Sequence, residues 1–530
     1  MTIKGTGSIG AWLTGLTLVL ALLLIATRPA QAQTETVLYN FCPTNNCPDG
    51  DNPDSRLTSD GKGNFYGTTY AGGLGFGTVF ELSPSGSGGW NETVLYSFCL
   101  DDFPVSCADG ANPSYSYVLF DTMGNIYGTA QFGGANGYGV VFELSPAGTN
   151  WTETVLYSFA GGTDASYPMN GLIFDPAGNL YGITQNGGGG NTGTVFELSP
   201  SGGGWTEQVI YNIPDGNNSP GTAGLTMDAA GNIFGVSGFL PGIVFELSPN
   251  GSGGWNPNAI HTFAGPPKDG ELPDSTLVLD KAGNLYGTTV LGGAHGVPAQ
   301  SGGTVYELSP GKNGKWTEKI LYSFKGLVGG VRQDGREPYA GIVFDASGNI
   351  YGTTAAGGMY ADYGTVFELL AGSHEEKVLW NFNGTDGRLP FESLILDSAG
   401  NLYGTTELGG SGECYPYDVG CGVVFEVNPS GTPTSTTTAL TSSPNPSTYG
   451  ESVTFTAMVT PAPPDGEAVS FTKGKTVLGT GTLSGGSASF TTSALPVGTT
   501  TVTAVYGGDG NFDPSTSNKL KQVVKKAVAR

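Results

Sequence analysis

The feature that most constrains this chain is a phrase it writes more than once. GNLYGTT occupies residues 283–289 and recurs letter for letter at 400–406, and near-copies bring the total to seven, aligned on Asn64, Asn125, Asn179, Asn232, Asn284, Asn349 and Asn401. Successive copies start 52 to 65 residues apart, a period that points to solenoids or propellers. A typical copy holds four runs rich in β-branched and aromatic residues. In the third copy they are GLIFD (171–175), NLYGIT (179–184), GTVFELS (193–199) and EQVIYNI (207–213). The first two runs are joined by D-x-x-G-N, which begins at Asp60, Asp121, Asp175, Asp228, Asp280, Asp345 and Asp397. Asp bonds a backbone N–H two residues on, and Gly-Asn tolerates positive φ, so the pattern predicts a tight hairpin turn rather than a ladder of binding carboxylates.

A four-stranded sheet has two faces to bury and needs a neighbour on each, which a ring supplies and a linear stack does not. The expected fold is therefore all-β, a seven-bladed β-propeller of four-stranded blades. TVLYNF (36–41) is a fourth-type strand with no first three before it, and GVVFEV (422–427) is a third-type strand with no fourth after it. The N-terminal strand is thus expected to complete the last blade and leave no exposed edge.

The composition agrees with a turn-rich, helix-poor chain, with 89 glycines among 530 residues and only 12% charged side chains. Residues 1–32 read as a signal peptide: Lys4, an apolar core LTGLTLVLALLLIA (13–26), then Ala30 and Ala32 before Gln33. That core is short of the roughly 20 residues a spanning helix needs, and no later segment is apolar enough to span, so no membrane span is expected after cleavage. Without the leader the chain carries 19 basic residues against 45 acidic, which argues against a nucleic-acid partner. The segment 33–430 holds 40 acidic and 12 basic side chains, whereas 431–530 holds 5 and 7, a shift that marks a domain boundary. Six cysteines fall into three close pairs, Cys42 with Cys47, Cys99 with Cys107, and Cys414 with Cys421. In an exported chain these predict local disulfides, with a cross-link between the first and last pairs as the rival and a zinc site disfavoured by the lack of any C-x-x-C.

Through GNLYGTT, GTVFELSP (77–84, 193–200) and VLYSF (94–98, 155–159), roughly residues 35–427 resemble the secreted bacterial GloVer tandem-repeat proteins, also called choice-of-anchor proteins. The fourth copy departs furthest, to GNIFGVS (231–237). The resemblance implies export and the repeat type, and no particular chemistry. The strand, D-x-x-G-N, strand plan also looks like NHL and gluconolactonase-type propellers, which include binding proteins and metal-dependent enzymes.

After Ser430 a Thr, Ser and Pro stretch reads as a linker (431–445). The alternating runs SVTFTAMV (452–459), AVSFTKG (468–474), SASFTTS (487–493) and TTVTAVYGG (500–508) then predict a β-sandwich over 446–530. YGGDGNFDPSTS (506–517) makes this part similar to bacterial Ig-like domains, and KLKQVVKKAVAR (519–530) is either its final strand or a loose basic tail.

Loop lengths sort the two faces of the expected ring. The D-x-x-G-N hairpins and the S-P-x-G connections are short, whereas the loops after the second and fourth strands vary, and the latter carry D-G-x-x-P, as at Asp49–Pro53, Asp269–Pro273, Asp334–Pro338 and Asp386–Pro390. Binding is expected on this variable face or in the channel mouth. Its aromatics, Tyr70, Phe76, Phe132, Tyr138, Tyr360, Tyr363, Tyr415 and Tyr417, suit stacking on sugars or peptides or simply fill the mouth. Asp49, Asp51 and Asp54 in DGDNPD are weak candidates for Ca²⁺, with a solvated turn as the plainer reading. Of the three histidines, His261 replaces the tyrosine of the VLYSF strand and is expected to pack, His374 falls on the short-loop face, and only His295 lies in a variable loop, so no catalytic constellation assembles. The sequence reading is a secreted or cell-surface binding protein for glycan or protein. The alternative is an extracellular propeller enzyme, a metal-dependent hydrolase or lyase acting on a glycan or small ester.

Overall fold

The computed structural model describes residues 34–527 apart from 45, 86–88, 100–106, 215–222, 239–241, 296–301, 329–330, 333, 361, 413, 415–419, 430–434, 464–466 and 509–511. The leader expected at 1–32, the sites Tyr415 and Tyr417 and part of the linker lie outside the described residues. The chain is all-β: among the described residues the one helical turn is a short 3₁₀ stretch, Lys312–Gly314. No described helix is long and apolar enough to cross a membrane.

Each repeat folds as the run pattern predicts. The first sheet is Thr58–Ser59, Phe65–Thr69, Thr78–Pro84 and Trp90–Ser97, paired antiparallel in that order. Equivalent sheets follow over 119–158, 165–212, 226–262, 270–323 and 343–381. The seventh is Ile395–Leu396, Leu402–Thr406 and Val423–Asn428, and its outer strand is the N-terminal Thr34–Asn40. Among the described residues that makes seven repeat sheets, and each carries a bulge near the end of its fourth strand, as between Val79 and Phe80 opposite Tyr96 and Val94. The D-x-x-G-N aspartates are committed to their turns: Asp175 Oδ1 accepts the N–H groups of Ala177 and Asn179 at 2.8 and 2.9 Å, and Oδ2 accepts the Asn179 amide at 2.7 Å. The turn glycine takes φ between +84° and +102° in all seven (Gly63, Gly124, Gly178, Gly231, Gly283, Gly348, Gly400), where a side chain would be strained.

One recurring contact joins sheet to sheet. The phenylalanine closing each fourth strand meets, edge to face, an aromatic on the third strand of the next sheet. The pairs are Phe41–Phe80, Phe98–Phe142, Phe159–Phe196, Phe263–Tyr306, Phe324–Phe367 and Phe382–Phe425, at 5.0 to 5.1 Å. In the third sheet Ile213 takes that place. Because Phe41 belongs to the seventh sheet and Phe80 to the first, this contact brings the circuit of sheets back to its start. Such offset aromatic pairs add about 0.5–1.5 kcal/mol each beyond their buried area.

The last hundred residues form two further sheets around one core of Leu440, Phe455, Phe471, Val502 and Tyr506. Their first strand, Thr437–Ser443, lies inside the stretch read as linker, because Thr438 and Leu440 alternate inward beneath a Thr/Ser-rich exterior. The basic end resolves to a final strand, Leu520–Lys525, paired with Gly498–Tyr506.

All three disulfides are local: Cys42–Cys47, Cys99–Cys107 and Cys414–Cys421. The first and third lie side by side where the seventh sheet closes, with their sulfurs within 4.8 Å of one another. Bridging such short loops contributes about 2–3 kcal/mol each by loop entropy, so they stiffen the closure without carrying the fold. Non-reducing peptide mapping is expected to return the three local pairs. A peptide joining the 42–47 and 414–421 regions would overturn that pairing.

Candidate functional site

Among the described residues most loops that leave a fourth strand are built alike, and the aspartate of D-G-x-x-P, or of D-A-S-Y-P at Asp164, is the reason. Asp49 accepts the Tyr39 hydroxyl at 2.7 Å and the Cys42 N–H at 3.0 Å. Asp109 holds Tyr96 and Cys99 in the same way, Asp164 holds Tyr157 and Ala160, and Asp334 holds Tyr322 and Lys325. In the sixth sheet a tryptophan replaces the tyrosine, and its Nε1–H donates to Asp386 at 3.1 Å. Asp49 and Asp54 are therefore buried, contrary to the solvated turn expected for DGDNPD, because a tyrosine hydroxyl inside the protein needs an acceptor. Nor do Asp49, Asp51 and Asp54 converge on one point. Asp54 accepts from Ser114 at 3.2 Å, Asp51 bridges backbone to Ala71, and Asp49 is taken by its clasp.

A glutamate from the fourth strand of the following sheet stands against each clasp. Burial first, and then the charge of the clasp aspartate, push these carboxyls up: Glu92 beside Asp49 and Glu207 beside Asp164 to about 8, Glu153 beside Asp109 and Glu376 beside Asp334 to about 7, and Glu35 beside Asp386 to about 9. In each of them Oε1 is buried without a protein hydrogen-bond partner. A carboxyl kept protonated up to such a pH carries a hydroxyl donor that a carboxylate lacks. The sequence signal for this was present in the E-x-x-x-Y spacing, as in Glu92–Tyr96, and the sequence reading missed it.

The residue before each loop proline has a second recurring property. Asn52, Asn112, Tyr167, Leu272, Glu337 and Leu389 all have φ between +52° and +58°, in the left-handed region. That conformation is unfavourable for non-glycine residues and doubly so before proline. Backbone bonds on both sides hold it. Asn112, for example, donates its N–H to Phe76 O at 2.7 Å in the preceding sheet and accepts from Gln131 N–H at 3.1 Å in its own. Neighbouring sheets are thereby stitched together. The six side chains, all partly exposed, are of four kinds, Asn, Tyr, Leu and Glu, on an otherwise uniform scaffold.

Inside them lies a tighter set, one residue past the proline: Asp54, Met169, Asp274, Tyr339 and Phe391, with Tyr115 in the second sheet, whose loop is one residue longer. Tyr339 and Phe391 meet edge to face at 5.1 Å, and deeper in, the Arg56 guanidinium lies 4.4 Å from the Tyr117 ring centroid. Burial and the Glu407 charge push the Asp54 carboxyl well above its usual range, and burial and Asp54 do the same to Glu392. Glu392 keeps some contact with solvent, yet protein surrounds it closely enough to penalise its charge. Asp54 Oδ1, Arg56 Nε and Arg388 Nε are buried without a protein hydrogen-bond partner. This cluster thus combines aromatic faces with polar groups whose bonding capacity the protein leaves unused.

The sequence-predicted aromatics divide. Tyr70, Phe132 and Tyr138 are exposed on this face, and the last two lie 5.4 and 5.8 Å from Tyr167, which the sequence reading missed. Phe76 instead packs on Cys99, Cys107 and Ala111, and Tyr363 is half-buried below Arg388. Tyr360 is buried and donates to Glu467 of the C-terminal sheets at 2.7 Å. His261 does pack, 4.6 Å from Phe263, but its Nε2 also faces Asp269 and Glu318. A groove of about 440 Å³ on the short-loop face, lined by Tyr181, Met227 and Trp255, is a weaker candidate, because its aspartate, Asp175, is already saturated by its own turn.

Several solved structures are similar in fold at low identity. The extracellular domain described as a one-component system from B. thetaiotaomicron is 12% identical with a TM-score of 0.44; the match covers 94% of this chain, which spans 59% of that longer one. A protein described as a 6-phosphogluconolactonase from Bacteroides fragilis is 11% identical, covering 69% of this chain and 98% of that one, with a TM-score of 0.42. A PL25 ulvan lyase is 10% identical, covering 71% and 90%, with a TM-score of 0.41. No curated protein matches the chain. The family model described as the Gloeobacter/Verrucomicrobia repeat matches twice in tandem, over residues 91–298 and 296–483. Those matches take in most of the chain, which belongs to the Gloeobacter/Verrucomicrobia repeat family.

Proposed function

We propose that the seven repeat sheets are the blades of a closed β-propeller spanning 33–430, that the C-terminal sheets form an Ig-like module, and that the chain is exported and binds a glycan in the mouth on its variable-loop face. The observation that carries this reading is the set of left-handed residues, Asn52, Asn112, Tyr167, Leu272, Glu337 and Leu389. Strained backbone is retained where it serves a site, and here it presents side chains of four kinds beside the cluster of Tyr115, Tyr339, Phe391 and carboxylates. Aromatic faces beside unused donors and acceptors match the alternating apolar and hydroxyl surfaces of a sugar. The exported setting accords with the disulfides.

A glycan and peptide array followed by calorimetry tests the proposal. Tyr167→Ala and Tyr339→Ala are each expected to weaken glycan capture about 10-fold or more, with melting unchanged within a few degrees. Trp151→Ala, which removes a ring packed between the first two sheets, should do the reverse. Binding that survives both mouth substitutions would move the site elsewhere, and selective capture of peptides would replace the glycan by a protein ligand.

One observation favours a second reading. Asp54 and Glu392 are neighbouring carboxyls raised by burial, as the general acid of a hydrolase or lyase would need to be. Polymer cleavage by the native protein that Glu392→Gln abolishes would establish an enzyme.

A further inference from the structure

Of the six clasp aspartates among the described residues five follow one plan, and where the fourth sheet meets the fifth the sequence departs from it twice. Where the other described clasps have a tyrosine or tryptophan donating to the aspartate, His261 stands. Where the other sheets have phenylalanine on the third strand, the fifth has Tyr306. Both changes fall beside the same carboxylates, Asp269 in the loop after the fourth sheet and Glu318 on the last strand of the fifth.

We propose that His261, Asp269 and Glu318 bind a single divalent transition-metal ion, preferentially Zn²⁺, which ties the fourth sheet to the fifth. His261 Nε2 lies 3.5 Å from Glu318 Oε1 and 3.8 Å from Asp269 Oδ2, and all three donor atoms fall within 4.8 Å of one another. A tetrahedral ion with bonds of about 2.0–2.2 Å needs donors separated by about 3.3–3.6 Å, so the site closes on it with small shifts. His261 Nε2 and Glu318 Oε1 are shut off from water without a hydrogen-bond partner. So is the hydroxyl of the fully buried Tyr306, which lies within electrostatic reach of both carboxylates. Orphaned polar atoms in such a place call for a ligand of their own.

Charge and orientation agree. Two carboxylates and a neutral imidazole around a dication leave no net charge to bury, whereas the same set without an ion must take up a proton to keep two carboxylates from crowding a nitrogen lone pair. Asp269 is already aimed by its backbone partners, accepting from Ala264 N–H and Gly270 N–H, both at 2.6 Å, as outer-shell bonds orient metal ligands elsewhere. Imidazole with two carboxylates suits Zn²⁺, and water completes the fourth position. The ion does here what the tyrosine clasp does in the sister sheets. A proton held by Glu318, as by the glutamates of the sister sheets, is the competing way to fill the space, and the experiment separates the two.

The full chain is stripped with chelator and titrated with Zn²⁺ by calorimetry, with Co²⁺ as a visible reporter of tetrahedral N/O coordination. One equivalent is expected, with a rise in melting temperature. The telling variant is His261→Tyr, which restores the donor used in the sister sheets and is expected to fold and melt like metal-free wild type. Its affinity should fall by more than the roughly 10–100-fold that losing an outer-shell partner costs. Wild type that binds no Zn²⁺, or His261→Tyr that binds it with unchanged stoichiometry and affinity, would overturn the proposal.

Discussion

A chain lacking residues 34–41 is expected to aggregate rather than fold. Those residues supply the outer strand of the seventh sheet, in register from Thr34 opposite Asn428 to Asn40 opposite Val423. They also supply Phe41, fully buried against Phe80 of the first sheet. Their removal bares the hydrogen-bonding edge of Val423–Asn428, a flat apolar strand of the kind that templates pairing between molecules. Phe41→Ala is the milder test: truncating a fully buried phenylalanine costs about 3–5 kcal/mol, and here it also loosens the place where the circuit closes. Size-exclusion chromatography and thermal melting read both variants. A monomeric deletion that melts like wild type would sink the closure argument, and rescue of solubility by an added 34–41 peptide would confirm it.

The melting temperature is expected to be higher at pH 5 than at pH 9, by on the order of 10 °C. The groups responsible are Glu35, Glu92, Glu153, Glu207 and Glu376, facing Asp386, Asp49, Asp109, Asp164 and Asp334, with Lys325 the nearest opposing charge at the last pair. Their folded values of about 7 to 9 lie above the 4.5 of an unfolded glutamate. The folded state therefore keeps protons that the unfolded state releases, and stability falls as pH rises. The contribution is complete below pH 4.5 and is lost as pH climbs through about 7 to 9. Each unit is worth about 1.4 kcal/mol. All five groups keep some access to water, so roughly one effective unit apiece is a prudent reckoning. Glu92→Gln together with Glu153→Gln, which mimic the protonated acid, should flatten the slope without lowering stability at pH 9. A melting curve that rises with pH, or a slope the glutamines leave unchanged, would falsify the protonated glutamates.

The repeat sheets were legible because each copy states its turn and strands in residues that act locally. D-x-x-G-N makes its bonds within five residues, and the alternation in GTVFELS fixes which side chains enter the core. The closing strand was legible by subtraction, from a surplus fourth strand at one end and a missing one at the other. The functional face was not. Phe76, Tyr360 and Tyr363 share the loop context and composition of Tyr70, and only the packing of neighbouring sheets and the C-terminal module decides that they turn inward while Tyr70 stays out. The E-x-x-x-Y spacing was visible, but the partner of each glutamate lies in the loop of the preceding sheet. A single strand gives no hint of that pairing. The left-handed residues announce themselves in sequence only as whatever precedes a proline.

The strand that finishes the seventh sheet is made before the other strands of all seven sheets, and its partner is made nearly four hundred residues later. Bringing such distant ends together costs about 5 kcal/mol of chain entropy, a modest sum, but nothing can begin to repay it until synthesis has passed Asn428. Until then Thr34–Asn40 must travel unpaired beside six finished sheets, and a truncated product can never acquire its last partner. Closure of the circuit of sheets is thus encoded in its own topology. A fragment betrays itself by an open edge, which offers chaperones and proteases a direct sign that translation stopped short.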